Sequence, residues 1–118
     1  MIVFVSGHLD LTPEEFEEHY LWKLDAAFII GETFVVGDAR GSDDLAQKHL
    51  KMRGASVVVY HMFDNPRCNQ GFSLEGGFSS DDARDEAMTK ASDYDIAWVR
   101  PGREKSGTAK NLKRRGQI

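Results

Sequence analysis

The sequence contains a single cysteine, Cys68, so one chain cannot form an internal disulfide. This excludes a disulfide-stapled scaffold and favours a reducing compartment such as the cytoplasm. No apolar run approaches the roughly 20 residues that a membrane-spanning helix requires, so we expect no membrane partner. No basic segment precedes the first apolar run, residues 2–5, so we expect no secretory signal.

Several ligand-binding signatures are also missing. The sequence has neither a Gly-x-x-x-x-Gly-Lys-Ser/Thr phosphate loop nor a Gly-x-Gly-x-x-Gly dinucleotide fingerprint. The four histidines show no metal-ligand spacing, so we expect no metal site and no bound cofactor. The net charge is −4, and basic residues do not alternate with aromatic ones, which argues against a nucleic-acid partner.

The charges are unevenly distributed. Residues 1–99 carry 8 Lys and Arg against 18 Asp and Glu, whereas residues 100–118 carry 7 Lys and Arg and one acid, Glu104. A basic end on an acidic body indicates either an anionic partner or a solvated segment that pairs with the body of its own chain.

Apolar runs and helix signals alternate along the chain. With 118 residues, we expect a single domain over residues 1–118. The predicted strands are residues 2–5, 33–36, 56–60 and 95–99, and continuous apolar runs of this kind are typical of buried parallel strands. The predicted helices begin at the caps Thr12, Ser42, Ser80 and Ser106.

This alternation predicts the fold class. It indicates an α/β, three-layer Rossmann-like domain with a mainly parallel sheet of four to five strands. We expect the first strand to be central. Residues 62–79 contain one proline, two asparagines and three glycines in no regular pattern, and they are predicted to form a long functional or mobile loop.

Polar, glycine-containing segments follow three of the predicted strands. The carboxyl ends of parallel strands meet at one sheet edge, where ligands bind, and helix N-termini attract phosphate or carboxylate groups. The alternative is that these segments are ordinary turns, which also favour glycine and serine. The predicted ligand-binding residues are Ser6, Gly7, His8, Gly37, Asp38, Arg40, Gly41, Ser42, Gly102, Ser106, Gly107 and Thr108.

Arg84 and Asp85 lie in the first turns of the fourth predicted helix, near the same edge. An arginine at this place can clamp a phosphate or orient a carboxylate. The alternative is a solvated helix start, since acidic residues are favoured near helix N-termini whatever the function.

Four segments together resemble a known family. Residues 37–46 read Gly-Asp-Ala-Arg-Gly-Ser-Asp-Asp-Leu-Ala and resemble the Gly-Asp-Ala-Arg-Gly-Ala-Asp-x-Leu-Ala signature of small YspA-like proteins in the SLOG superfamily. Residues 84–88, 92–98 and 106–109 are similar to that group's Arg-Asn-x-x-Met, Ala-Asp-x-x-Ile-Ala-Phe and Gly-Gly-x-Gly-Thr-Ala segments. The resemblance covers most of residues 1–115, in order.

The resemblance implies a Rossmann-like fold that binds a nucleotide or a nucleotide-derived ligand, and it makes a homo-oligomer plausible. Its relatives include the Lonely Guy phosphoribohydrolases and, more distantly, nucleoside deoxyribosyltransferases. In the phosphoribohydrolases an arginine and a glutamate carry catalysis. The arginine corresponds to Arg84, but the glutamate position falls on Asn111, which cannot serve as a carboxylate base.

Three functions remain open from the sequence. The leading one is binding of a nucleotide or phosphorylated sugar, with phosphate at residues 106–108. The second is hydrolysis or transfer at the N-glycosidic bond of a nucleoside monophosphate, with Asp85, Asp38 and Arg84 as catalytic residues. The third is a non-catalytic interaction module that uses the basic C-terminal segment.

Overall fold

The computed structural model describes residues 1–117, and Ile118 of the predicted domain lies outside them. Its strands are β1 (Ile2–Val5), β2 (Thr33–Gly37), β3 (Val57–Met62), β4 (Ser73–Phe78) and β5 (Tyr94–Ile96). Its helices are α1 (Pro13–Phe16), α2 (Trp22–Ile29), α3 (Ser42–Arg53), α4 (Asp81–Ala91) and α5 (Gly107–Arg115). A π-helical turn, Glu17–Leu21, joins α1 to α2. No helix in this part of the chain is long and apolar enough to cross a membrane.

All five strands of residues 1–117 pair in parallel, in the order β4-β3-β2-β1-β5. The α/β, Rossmann-like fold with a parallel sheet is therefore confirmed. The expectation of a central first strand is wrong, because β2 occupies the middle. The chain adds β2, β3 and β4 successively on one side of β1 and then places β5 on the other side. The direction of winding thus changes between β1 and β5.

Alternating side chains of the buried strands supply two cores. On one face, Val3 and Val5 of β1 belong to a cluster with Phe16, Tyr20 and residues of α2 and α3. On the other face, Phe4 and Val35 pack with Met88 of α4. Because successive strand residues point to opposite faces, a continuous apolar strand is covered on both sides by helices. This produces the three layers.

The predicted loop over residues 62–79 contains β4, so that prediction is wrong for its second half. Ser73–Phe78 escapes recognition because it is an edge strand with mostly exposed side chains and no apolar period. The connection over residues 63–72 contains no helix and is fixed to α3. Gln47 Nε2 donates to the Cys68 carbonyl at 3.2 Å, and Gln47 Oε1 accepts from Gln70 N at 3.0 Å. We call residues 63–72 the strap.

Three of the four predicted helix caps are confirmed. Thr12 and Glu15 form a capping box, and Ser80 and Ser106 accept from the backbone three residues ahead. At α3 the prediction is wrong, because Gly41 and not Ser42 is the cap. Gly41 has φ 73°, and a Cβ there would overlap the His8 and Leu9 carbonyls, so a glycine fits this close approach.

A buried tyrosine joins the ends of β1 and β5. Tyr20 lies in the π-helical turn and is fully buried. Its hydroxyl donates to the Ser6 carbonyl at 2.7 Å and accepts from Trp98 N at 2.9 Å. A Cβ at Gly7 would overlap this hydroxyl, so glycine keeps the approach open. One phenol group therefore satisfies two backbone groups beside the point where the winding changes.

We expect Tyr20→Phe to lower the free energy of unfolding by about 1–3 kcal/mol, because the Ser6 carbonyl and the Trp98 N–H would lose their buried partner. Urea denaturation with far-ultraviolet circular dichroism measures the change. Tyr60→Phe is the matched control, since the half-buried Tyr60 hydroxyl has no hydrogen-bond partner among residues 1–117. Equal effects of the two substitutions would contradict this role of Tyr20.

Candidate functional site

A cleft of about 650 Å³ opens at the carboxyl edge of the sheet, beside β1 and β5. One wall is the segment after β1, Ser6 to Leu9, and another is the segment from Gly102 to Gly107. Helix α4 contributes Arg84, Asp85 and Met88. The winding changes between β1 and β5, so the cleft lies at the switch point where open parallel sheets bind ligands.

The N-terminus of α5 lies in the wall of this cleft. The backbone N–H groups of Gly107 and Thr108 have no acceptor within residues 1–117, because Ser106 caps only Ala109 N. Ser6, which is 6% exposed, also lines the cleft, and its Oγ has no hydrogen-bond partner in the described part of the chain. These free donors, together with the positive end of the helix dipole, suit an anionic group.

His8 and Arg100 hold in place the segment after β5, which leads into one wall of the cleft. His8 is 3% exposed, and its Nε2 accepts from Arg100 N at 2.9 Å. Burial, followed by the charges of Arg103 and Arg100, lowers the pKa of His8, so the ring stays neutral and able to accept. The Arg100 guanidinium binds Glu15 at 2.6 Å and Asp10 at 3.1 Å. His8 therefore positions the cleft wall, and its Nε2 is not free for a ligand.

Carboxylates occupy the whole guanidinium group of Arg84. Its Nη1 binds Asp38 at 2.7 Å and Asp81 at 3.1 Å. Its Nε and Nη2 both bind Asp85 Oδ1, at 3.1 and 2.9 Å. Arg84 is 6% exposed, so these contacts also compensate its burial. Arg84 is thus not part of a solvated helix start, and its contacts are those of a residue that orients carboxylates rather than of a free phosphate clamp.

A second arginine, Arg67 of the strap, binds the same buried carboxylate. It contacts Asp38 through Nε at 3.1 Å, Nη2 at 2.8 Å and its backbone N–H at 2.9 Å. Arg67 also reaches Asp81 at 2.9 Å. Burial alone would raise the pKa of Asp38, but the hydrogen bonds from Arg67 and Arg84 lower it to about 2. Asp38 is therefore a permanent anion below the cleft.

Asp43 forms part of the cleft wall and is 7% exposed. Burial raises the pKa of Asp43 to about 7, and neither the Arg84 charge nor the hydrogen bond from Ala39 N offsets it. The Asp85 and Asp38 charges act in the same direction as burial. The cleft thus contains a carboxyl group whose pKa is raised to the neutral range.

Asp85 of the cleft wall connects α4 to α5. It lines the cleft, and its Oδ2 accepts from Asn111 Nδ2 at 3.1 Å. Arg114 Nη1 in turn donates to Asn111 Oδ1 at 2.6 Å. The carboxylate of Asp85 on α4 is therefore hydrogen-bonded directly to Asn111 on α5.

The predicted site residues separate into groups. Those that line the cleft are Ser6, Gly7, His8, Arg84, Asp85, Gly102, Ser106, Gly107 and Thr108. Asp38 and Arg40 instead line a second cavity of about 560 Å³ beside the strap. Neither cavity is lined by Gly37, Gly41 or Ser42, which lie behind the cavity walls.

The second cavity also contains Cys68. Its thiol donates to Asp44 at 2.9 Å, and burial followed by this carboxylate raises the pKa of Cys68 to about 12. A thiol in this environment is a poor nucleophile.

The arginines of the C-terminal segment are paired within the chain. Arg100 and Arg103 bind Asp10, Arg114 binds Asp82, and Arg115 binds Asp95. The lysines of the C-terminal segment are Lys105, Lys110 and Lys113, and they make no ion pair with residues 1–117. Of the two explanations for the basic segment, pairing with the chain's own acidic body accounts for the arginines.

No protein-family model, curated protein or solved structure matches the chain. Within residues 1–117, no group of three or more His, Cys, Asp and Glu side chains is arranged to hold a metal ion.

Sequence reasoning missed Asp43, Arg67 and Asp81 as site residues. Asp43 and Asp81 are acidic residues in a first helical turn, which usually serve only the helix. Arg67 lies in a segment without periodicity. Its one signal is the composition of that segment, because an arginine in a proline- and asparagine-rich connection has no packing reason to be there.

We expect Asp38→Asn to lower the free energy of unfolding at pH 7 by about 3 kcal/mol, because two cations would lose their shared buried carboxylate. The folded-state pKa of Asp38 is below its unfolded value, so its contribution is present above about pH 4 and is lost as the pH falls towards 2. Urea denaturation from pH 7 to pH 2.5 should show the wild-type and variant stabilities converging. Asp82→Asn, at an exposed carboxylate, is the control; a constant difference would contradict the prediction.

Proposed function

We propose that the cleft beside β1 and β5 binds a nucleotide or a nucleotide-derived phosphorylated sugar. The observation that carries the proposal is the set of free donors at the start of α5, in a cleft large enough for such a ligand. The phosphate lies against the N–H groups of Gly107 and Thr108. Lys105, exposed at the cleft, adds a positive charge.

The opposite wall suits the sugar. Asp85 and Asp81 present carboxylate oxygens to the cleft, and such oxygens accept hydrogen bonds from ribose hydroxyl groups. Ser6 and Gly7 supply a polar, closely approachable floor between the two ends. A ligand with an anion at one end and hydroxyl donors at the other matches this division.

The resemblance of residues 37–46, 84–88 and 106–109 to the SLOG superfamily supports the same ligand class, and we propose membership of its YspA-like group. We place the binding in the cytoplasm, where nucleotides are abundant and a lone thiol persists. Homo-oligomerisation stays a prediction.

The first test is saturation-transfer NMR with AMP, ADP, ATP, GMP and ADP-ribose, followed by titration of those that bind. We expect saturable binding that Gly107→Pro weakens about tenfold to a hundredfold, the value of one hydrogen bond to a charged group. Proline is favoured at the first helical position and requires an extended residue before it; Ser106 has φ −70° and ψ 166°. The substitution therefore removes one N–H and preserves the helix.

Gly107→Ala is the matched control, because it keeps the N–H, and a Cβ at this position meets no atom within 4 Å. Equal affinities of the proline and alanine variants would remove the α5 N-terminus from the binding site. Absence of binding by every compound at millimolar concentration would contradict the proposed function.

One observation favours a second candidate, hydrolysis of the N-glycosidic bond of a nucleoside monophosphate. Asp85 lies within hydrogen-bond distance of Asn111, the position that corresponds to the catalytic glutamate in the phosphoribohydrolases that this chain resembles. In this reaction water adds to the anomeric carbon, the C–N bond breaks and the base leaves with a proton. Asp85 would activate the water or stabilise the positively charged transition state.

For this candidate we expect release of free base from a nucleoside monophosphate, detected by proton NMR over hours. Asp85→Asn should reduce the rate at least a hundredfold, in the range measured for loss of a general base. Asp82→Asn, a neighbouring exposed carboxylate, should leave the rate unchanged. Binding without any release of base would exclude the hydrolase and retain the binding protein.

A further inference from the structure

Asp43 has an unused oxygen in the cleft wall. Its Oδ2 accepts from Ala39 N at 3.1 Å, while its Oδ1 has no hydrogen-bond partner among residues 1–117. The side chain lies at the start of α3 and packs against Gly37, where a Cβ would overlap its Oδ2, so the glycine leaves room for the carboxyl group. The residue is 7% exposed, and the part of its surface that lines the cleft is available to a ligand.

Burial, reinforced by the neighbouring carboxylates, raises the pKa of Asp43 and favours its neutral form. The charges that act on it are Asp38 from the end of β2 and Arg84 and Asp85 from α4. Arg67 of the strap and Asp81 of α4 complete the same ion-pair cluster. Two further titratable groups near it are Tyr20 of the π-helical turn and Cys68 of the strap. The two arginines carry two positive charges against the three negative charges of Asp38, Asp81 and Asp85. An ionised Asp43 would add a fourth negative charge to this cluster. The raised pKa of Asp43, about 7, agrees with this count.

The position of the proton follows from the hydrogen bond to Ala39. An oxygen that accepts from an N–H group is the carbonyl oxygen of a neutral acid, so the proton lies on the other oxygen, Oδ1. Oδ1–H is then a donor without an internal acceptor, in a wall that otherwise presents the carboxylates Asp81 and Asp85. An acceptor atom of a ligand in the cleft would satisfy this donor.

We propose that Asp43 is a hydrogen-bond donor of the cleft, which selects ligands carrying an acceptor oxygen or nitrogen at the Oδ1 position. This inference rests on the proposed function and deepens it, because it names the chemistry required at one place in the ligand. A base carbonyl, a ring nitrogen or a phosphate oxygen fits there, whereas an amino group is rejected. Binding then requires the proton on Asp43 and weakens as the pH rises.

The test compares AMP binding by the wild type and Asp43→Asn between pH 7 and pH 9, with ADP-ribose as the probe if AMP is not bound. Asparagine has the same shape and can donate at every pH. We expect wild-type affinity to fall by up to about tenfold for each pH unit above 7, and the variant's affinity to stay constant. Asp64→Asn, at an exposed carboxylate, should follow the wild type. The AMP phosphate is fully ionised in this range and affects all three proteins equally.

Carbon-13 NMR of the wild-type carboxyl groups provides a readout that does not depend on the variant folding. Titration of Asp43 near neutral pH, shifted upward by saturating AMP, supports the proposal. Ionisation near pH 4, or parallel pH profiles of the wild type and Asp43→Asn, overturns it and leaves the proposed function intact. If neither AMP nor ADP-ribose binds at any pH, the proposal falls together with binding of these nucleotides.

Discussion

The carboxylate of Asp38, held between two arginines, organises the functional edge of this sheet. It lies at the end of β2 with no exposed side-chain surface. Arg84 approaches it from α4, and Arg67 approaches it from the strap. A buried carboxylate is tolerated only when its charge and lone pairs are satisfied, so α4 and the strap share one anchoring point. Arg84 also holds Asp85 in the cleft wall, so the order of this wall depends on a carboxylate that does not itself line the cleft.

The cleft has two chemically different ends as a result. The start of α5 offers backbone donors whose acceptors are missing, and the start of α4 offers carboxylates. Helix dipoles alone would make both ends attractive to anions, because both helices begin at this edge. At α4 the acidic side chains of Asp81 and Asp85 and the buried Asp38 reverse that preference. The two ends of the cleft therefore differ in the chemical groups that they present.

Local pattern was enough to predict most of the fold from the sequence. Buried parallel strands produce continuous apolar runs, and the caps of α1, α4 and α5 act over three residues, so both signals are visible in a single sequence. Edge strand β4 buries little and carries no such signal. The middle position of β2 depends on which side of β1 each strand joins, and local sequence does not encode it.

The site was predictable only to the level of segments. Glycine and serine after β1 and before α5 indicated the cleft walls. The partners of Arg84 and Arg67 were not predictable, because Asp38 lies 46 residues from the first and 29 from the second. The raised pKa of Asp43 follows from its burial, reinforced by carboxylates that are distant along the chain, and neither is visible in the local sequence. Resemblance to a family suggested a role for Arg84, and the geometry narrows that role to holding carboxylates.

The π-helical turn Glu17–Leu21 has a consequence for the length of the first helical region. Successive residues of a regular α-helix are rotated by about 100° around the helix axis. One extra residue therefore rotates the preceding side chains by that angle relative to those that follow. The widened turn absorbs such a residue and lets Phe16 and Tyr20 stack with ring centroids 5.6 Å apart on the side facing the sheet. A single-residue deletion here would restore a regular helix and rotate Phe16 out of the core. The spacing between the capping box and Tyr20 is thus fixed to the residue.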